Sequence, residues 1–398
     1  MNVESFFSKT TKEALKNDPP GEWMPLLPDD CIRLSSGFPD PQLVPVEPIG
    51  EAVDRLLKDE RDLPLHYLGS PAMEKLKEQI QKRSIERGMR VTEEELLITA
   101  GACQAIDLIA RILIDEETVV AIESPTYMEA LEVFQNYTTH FMSIPIDEGG
   151  LQTNLLEEML AERKKAGLSM PRFLYTIPTF HNPTGTSMKE ERRKHVLELA
   201  EKYNFLILED DAYGELHFNK QSTSLKELDT QGRVLHVGSL SKVVAPGMRI
   251  GWIAAAPAFI TALAWFKKDL DHPFAEATMA SYLESINLEK RLETLRATYH
   301  AKCSVLLDAL KQYLPTKAIS WYVPEGGYFV WIKVEGVDTV DLLSDALKEG
   351  VSYVPGKFFF LDQQEGKEYL RLSFSYANQE EIVEGVKKLG KVMERILS

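Results

Sequence analysis

The sequence predicts an α/β fold: a large domain on a mostly parallel, seven-stranded sheet, followed by a smaller α+β domain. Three observations carry this expectation. Seven short apolar runs recur between residues 96 and 255, most of them separated by helical stretches. That alternation marks a largely parallel sheet. Several runs are near-continuously apolar rather than alternating, as strands covered on both faces are. After about residue 280 the pattern changes to long helices with sparse strands. A length of 398 residues also suggests two domains rather than one.

Residues 1–45 are rich in proline and turn formers (PPGEWMPLLPDD, then SSGFPDPQLVP). They read as an arm running over a surface and packing with the small domain. Residues 46–280 form the large domain. Its expected strands are Leu96–Thr99, Thr118–Ile122, His140–Ile144, Arg172–Ile177, Phe205–Leu208, Arg233–Val237 and Arg249–Ala255. Residues 281–398 form the small domain. There Ile286–Leu314 reads as one long helix, or two in line, with Leu288, Leu292, Leu295, Tyr299, Leu306 and Leu310 near one face. Pro315 stops it. Strand-like Gly327–Val334, a helix at Asp338–Glu349 and strand-like Tyr369–Phe374 follow. In the final helix, Gln379–Leu397, residues Ile382, Val386, Leu389, Val392 and Ile396 recur at helical spacing.

Composition narrows the function. Acidic residues outnumber basic ones by 61 to 45, a formal net charge of −16. Such a surface repels nucleic acid and anionic membrane, so neither is an expected partner. Any bound anion needs a strong local site. Three scattered cysteines, Cys31, Cys103 and Cys303, show no disulfide framework or zinc spacing. A reducing cytoplasm fits, and no metal is expected. The start, MNVESFFSKT, lacks the basic and apolar regions of a signal peptide. No run reaches the apolar length of a membrane span.

The strongest local signal is Ser239-Leu240-Ser241-Lys242-Val243-Val244-Ala245-Pro246-Gly247-Met248-Arg249, which follows a strand-like run. Ser239, Ser241 and Arg249 offer hydroxyl donors and a positive charge to a phosphate. A Schiff-base lysine must be largely unprotonated to attack, which partial burial and a neighbouring cation promote. Taken alone, the segment reads equally as a surface Ser/Lys loop. Four further segments also follow strands. Gly101-Ala102-Cys103-Gln104 opens a helix, and a glycine turn there presents free N–H groups to an anion. Glu209-Asp210-Asp211-Ala212-Tyr213 places a carboxylate at a strand's carboxyl end, where open α/β sheets bind ligands. That carboxylate suits a pyridinium nitrogen. Pro178-Thr179-Phe180-His181-Asn182-Pro183-Thr184-Gly185 forms a sharply turned loop in which Asn182 can donate to a phenolate oxygen. Glu123-Ser124-Pro125-Thr126-Tyr127 brings an aromatic ring to the same sheet edge. Each has a plain structural reading. Five strand ends suited to different parts of one cofactor are far more specific than any one of them.

Together these motifs resemble a fold-type-I pyridoxal-phosphate aminotransferase of class I/II, closest to the 2-aminoadipate/kynurenine aminotransferase branch. That branch also includes aminotransferase-like bacterial regulators. The resemblance runs from Gly37 to Arg371. It implies pyridoxal 5′-phosphate as cofactor, with Lys242 as its Schiff-base partner and catalytic base. It implies that Asp210 pairs with the pyridine nitrogen, Tyr213 and Asn182 bond the ring oxygen, and Tyr127 stacks on the ring. The phosphate falls to Ala102 and Cys103 through backbone N–H, to Ser239, Ser241 and Arg249, and to Tyr67 of a partner subunit. Arg371 would grip the substrate α-carboxylate, with Asn182 beside it, and Gly37 lies in the segment that covers the substrate. The activity implied is ping-pong transfer of an amino group from an L-amino acid to a 2-oxo acid, 2-oxoglutarate foremost, in a cytoplasmic homodimer. A lyase, racemase or decarboxylase on the same scaffold is the alternative, and a ligand-sensing regulatory module a more distant one. The chain departs from the family pattern at Ala72 and Leu76-Lys77, and at Ala102-Cys103, where a hydroxyl or amide pair is common.

Overall fold

A computed structural model of the chain describes residues 1–17, 19, 21, 26–268, 271–314 and 318–397. Pro315, expected to stop the long helix, lies outside the described residues.

All seven expected strands are present: Leu96–Thr99, Val120–Ser124, Phe141–Asp147, Phe173–Thr176, Leu206–Asp210, Val234–Ser239 and Gly251–Ala254. They share one sheet, in the spatial order 96–99, 251–254, 234–239, 206–210, 173–176, 120–124, 141–147. The last five of these pair in parallel. Gly251–Ala254 runs antiparallel to both neighbours. An eighth strand, Gly150–Leu151, extends the sheet beyond 141–147 as an antiparallel partner. Two residues are too few to leave an apolar run in the sequence.

The continuous apolar runs have the expected cause. Phe173–Thr176, Val234–Ser239 and Gly251–Ala254 are buried at every position. Alternate side chains feed two cores, as strand geometry requires. Tyr175, Leu208 and Val237 pack with Ile106, Ile109 and Phe134. Leu174 and Ile207 pack with Leu156 and Leu199 on the other face. Both faces are therefore dry, which leaves ligands only the strand ends.

In the second half, Ile319–Trp321, Phe329–Val334, Tyr369–Ser373 and Val354–Pro355 form a four-stranded antiparallel sheet in that order. The long helix is Leu288–Tyr313 and the final helix is Gln379–Leu397. Two helix starts fall later than expected because polar residues cap them. The Asn287 side chain accepts from Lys290 N at 3.0 Å and that of Asp338 from Val340 N at 2.9 Å, so each sits just outside its helix. The helix Pro273–Ser285 spans the boundary expected near 280. From the N-terminal arm, Ile32–Arg33 pairs in parallel with Val351–Ser352, and Ser373 N donates to Leu34 O at 2.7 Å. Gly37 is thereby carried to the loop that follows the strand Val234–Ser239. Among the described residues, no helix is long and apolar enough to cross a membrane. Nor does any group of three or more His, Cys, Asp or Glu side chains stand together as metal ligands would.

Candidate active site

Asp210 closes the strand Leu206–Asp210 and is 4% exposed. Its partners are neutral donors. The Tyr175 hydroxyl from the next strand donates to Oδ2 at 2.9 Å, and Ala212 N donates to Oδ1 at 3.3 Å. Burial pushes its carboxyl up to about 6, against these hydrogen bonds. Asp211 faces elsewhere and pairs with the buried Arg87 guanidinium. Adjacent carboxylates thus divide between the site and the scaffold.

Lys242 follows the strand Val234–Ser239, in a loop held by the Tyr328 hydroxyl, which donates to the Lys242 carbonyl at 2.9 Å. Its Nζ donates to the Gly37 carbonyl at 3.0 Å. It lies 5.7 Å from the Tyr213 ring centroid and 5.9 Å from that of Tyr328. Burial lowers this lysine to about 8, and Arg371 acts in the same direction while Glu129 opposes it. At pH 7 roughly a tenth of such amines are free to attack, against about 0.03% for an ordinary lysine.

Arg371 lies on the strand Tyr369–Ser373 and is 3% exposed. Its Nη1 donates to Asn182 Oδ1 at 2.9 Å and its Nη2 to the Ser35 carbonyl at 2.9 Å. The guanidinium lies 4.2 Å from the Phe329 ring centroid, and Nε has no partner. Burial lowers it to about 10. Asn182 reaches Arg371 because its loop packs on the strand Phe329–Val334. A Cβ on Gly185, whose φ is +71°, would stand 2.5 Å from the Phe329 carbonyl oxygen, so only glycine fits.

A third group collects at the start of the helix Ala102–Leu113. Gly101 precedes it at φ +87°, and no side chain caps it. A Cβ on Gly101 would meet Arg249 Nη2 at 2.5 Å, which places that guanidinium over the helix N-terminus. Arg249 has a left-handed backbone, with φ 53°. The Ser241 amide donates to the Ser239 hydroxyl oxygen at 3.1 Å. Tyr127, half-buried, stands at the N-cap of the helix Met128–Gln135. Burial raises the Tyr127 phenol well above its usual range, and neighbouring Cys103 and Glu129 add to this.

Lys242 thus meets Gly37 and Tyr213, Arg371 meets Asn182, and the two groups join through Phe329, whose ring packs against both Tyr213 and the Arg371 guanidinium. Asp210 bears electrostatically on Lys242 and Tyr213. Ala102, Cys103 and Arg249 gather at one helix N-terminus, and Ser239 and Ser241 lie on the same loop as Lys242. Tyr67 makes no contact with this cluster and is fully exposed. Three contributors were not expected. Tyr175 hid within an apolar run, Ser35 acts through its carbonyl, and Glu129 follows the Tyr127 motif by two positions on a helical turn. No local pattern marks them.

The protein matches known families and folds throughout. The family model for aminotransferase class I and II covers residues 29–389. Aromatic-amino-acid aminotransferase 1 of Thermococcus litoralis is 38% identical over 371 residues, 92% of this chain and 88% of that protein. The Pyrococcus horikoshii kynurenine aminotransferase, solved in complex with PMP, superposes with a TM-score of 0.88 at 34% identity, covering 100% of this chain and 99% of that one. The α-aminoadipate aminotransferase LysN of Thermus thermophilus, solved with N-(5′-phosphopyridoxyl)-L-leucine, gives 0.89 at 32% identity, with 100% and 99% covered. The chain therefore belongs to the class I and II aminotransferases, and is a pyridoxal-phosphate-dependent aminotransferase of fold type I.

Proposed function

We propose that the protein transfers the amino group of a bulky or aromatic L-amino acid to 2-oxoglutarate by a ping-pong mechanism, as a cytoplasmic homodimer. The observation that supports the catalytic reading is that Asp210, at a strand end, and Arg371, within a strand of the second sheet, both bear electrostatically on Lys242 in its loop.

The residues present fit pyridoxal phosphate. An uncapped helix N-terminus under the Arg249 guanidinium suits a phosphate. There the backbone N–H groups of Ala102 and Cys103, the Ser239 and Ser241 hydroxyls and Arg249 would hold it. Asp210, buried among neutral donors, would hold the ring nitrogen protonated. Tyr213 and Asn182 would bond the ring oxygen, and Tyr127 would lie on the ring face. The bound cofactor supplies an electron sink next to the reacting carbon.

The chain's own groups do the rest. Arg371, with Nε unpartnered and its plane fixed over Phe329, takes the α-carboxylate. Its donor fork holds the amino acid in one orientation. The Lys242 amine, neutral in a useful fraction at neutral pH, removes the substrate's α-proton and, once protonated, is the acid that can give it back. The segment around Gly37, already in contact with Lys242, covers the substrate and keeps water out.

Dimerisation has its own support. Leu65, Tyr67 and Leu68 are exposed together, beside a groove of about 590 Å³ that includes Pro273 and Phe274. Contiguous exposed apolar groups mark an interaction surface. Tyr67 would reach the phosphate of the partner's site across it.

The donor is tested by adding single amino acids to the coloured protein and following loss of the visible cofactor band. Aromatic and long-chain donors should bleach it, and 2-oxoglutarate should restore it. Products formed without any 2-oxo acid acceptor would favour a lyase, racemase or decarboxylase instead.

A further inference from the structure

Glu129 lies in the first turn of the helix Met128–Gln135. Its Oε2 accepts from the Cys103 thiol at 3.2 Å, and its carboxylate lies near the Tyr127 phenol, which it helps to raise. Neither partner is a cation. Cys103 is the second residue of the uncapped helix Ala102–Leu113. A carboxylate therefore stands against the side chain of a residue whose backbone N–H is assigned above to the cofactor phosphate. Two anions at one helix N-terminus repel, and in a partly buried site water screens them weakly. The same carboxylate has a second direction open to it. Cys103 and Glu129 line a cavity of about 720 Å³ together with Lys357, Phe358 and Phe360. The Lys357 ammonium lies 4.7 Å from the Phe358 ring centroid. Among the described residues no carboxylate partners it.

We propose that Glu129 competes with the cofactor phosphate for this helix N-terminus, and that Lys357 receives the carboxylate when the phosphate is bound. Glu129 then sets how tightly the cofactor is held, and Lys357 offsets part of its opposition. The inference rests on the phosphate assignment above.

The test is equilibrium binding of pyridoxal phosphate to protein freed of cofactor, followed by its absorbance. Glu129→Gln keeps the size and an acceptor for the Cys103 thiol but removes the charge. It should tighten binding about tenfold, the scale of one like-charge contact near a protein surface. Pyridoxal, which lacks the phosphate, should gain less than pyridoxal phosphate: both profit from the lower Lys242 that loss of the Glu129 charge brings, but only the phosphate meets the helix N-terminus. Lys357→Met should weaken pyridoxal phosphate binding several-fold, and should have no effect when combined with Glu129→Gln. An unchanged or weaker Kd in Glu129→Gln overturns the proposal, as does an equal gain for pyridoxal. A Lys357→Met effect that persists in the double variant refutes the second seat. Unaltered protein that takes up no cofactor would instead overturn the phosphate assignment itself.

Discussion

Replacing Arg371 by alanine separates substrate recognition from chemistry. Its guanidinium is buried, tied to Asn182 and the Ser35 carbonyl and laid over Phe329. A substrate carboxylate there would be a desolvated, charge-assisted partner. Removing one member of such a buried pair costs roughly 3–5 kcal/mol. At 1.36 kcal/mol per decade that is about a 150- to 5,000-fold loss in kcat/KM. The loss should depend on the carboxylate, so the assay pairs each amino acid with the amine that lacks it. The poor rate with the amine should hardly change. Stability should also change little, because burial already disfavours this charge, lowering it to about 10. Arg371→Lys should recover only part of the loss, since its single ammonium cannot present the fork. A proportional loss with both substrates would refute the assignment, as would unchanged kcat/KM for the amino acid.

Other outcomes follow from the same geometry. Asp210 is raised in the folded chain, from an ordinary 3.8 to about 6. The native state therefore holds the proton more tightly, and cofactor-free protein should lose stability as pH climbs from about 4 to 6. Asp210→Asn should abolish that loss and gain up to about 3 kcal/mol at pH 7 by urea unfolding, while turnover collapses. Lys242, depressed to about 8, gains free amine as pH rises toward that value. Cofactor attachment should accelerate roughly tenfold per pH unit below 7.5, measured by stopped-flow absorbance. Tyr67→Phe should weaken cofactor binding about fivefold, the worth of one hydrogen bond, without altering the fold by circular dichroism.

Much of this was legible in the chain. Fully buried strands announce themselves as apolar runs, and a ligand at their ends must be served by the residues that follow each run. That is how Lys242, Asp210, Asn182, Tyr127 and Arg249 could be named. What stayed hidden depends on distant partners. Arg371 and Ser35 meet across 336 residues. Tyr175 points its hydroxyl at Asp210 from within an apolar strand, where its ring alone explains its presence. Glu129 follows the Tyr127 motif by two positions, with no pattern to mark it. Helix ends shifted by a residue or two where caps such as Asn287 and Asp338 intervened.

The most direct measurement is to reduce the coloured protein with borohydride, digest it and map the peptide that carries the pyridoxyl group. A lysine holding the cofactor covalently should be fixed at Lys242, and Lys242→Ala should yield no labelled peptide and no turnover. A label on any other lysine, or full activity in Lys242→Ala, would contradict the assignment of Lys242 as the catalytic base.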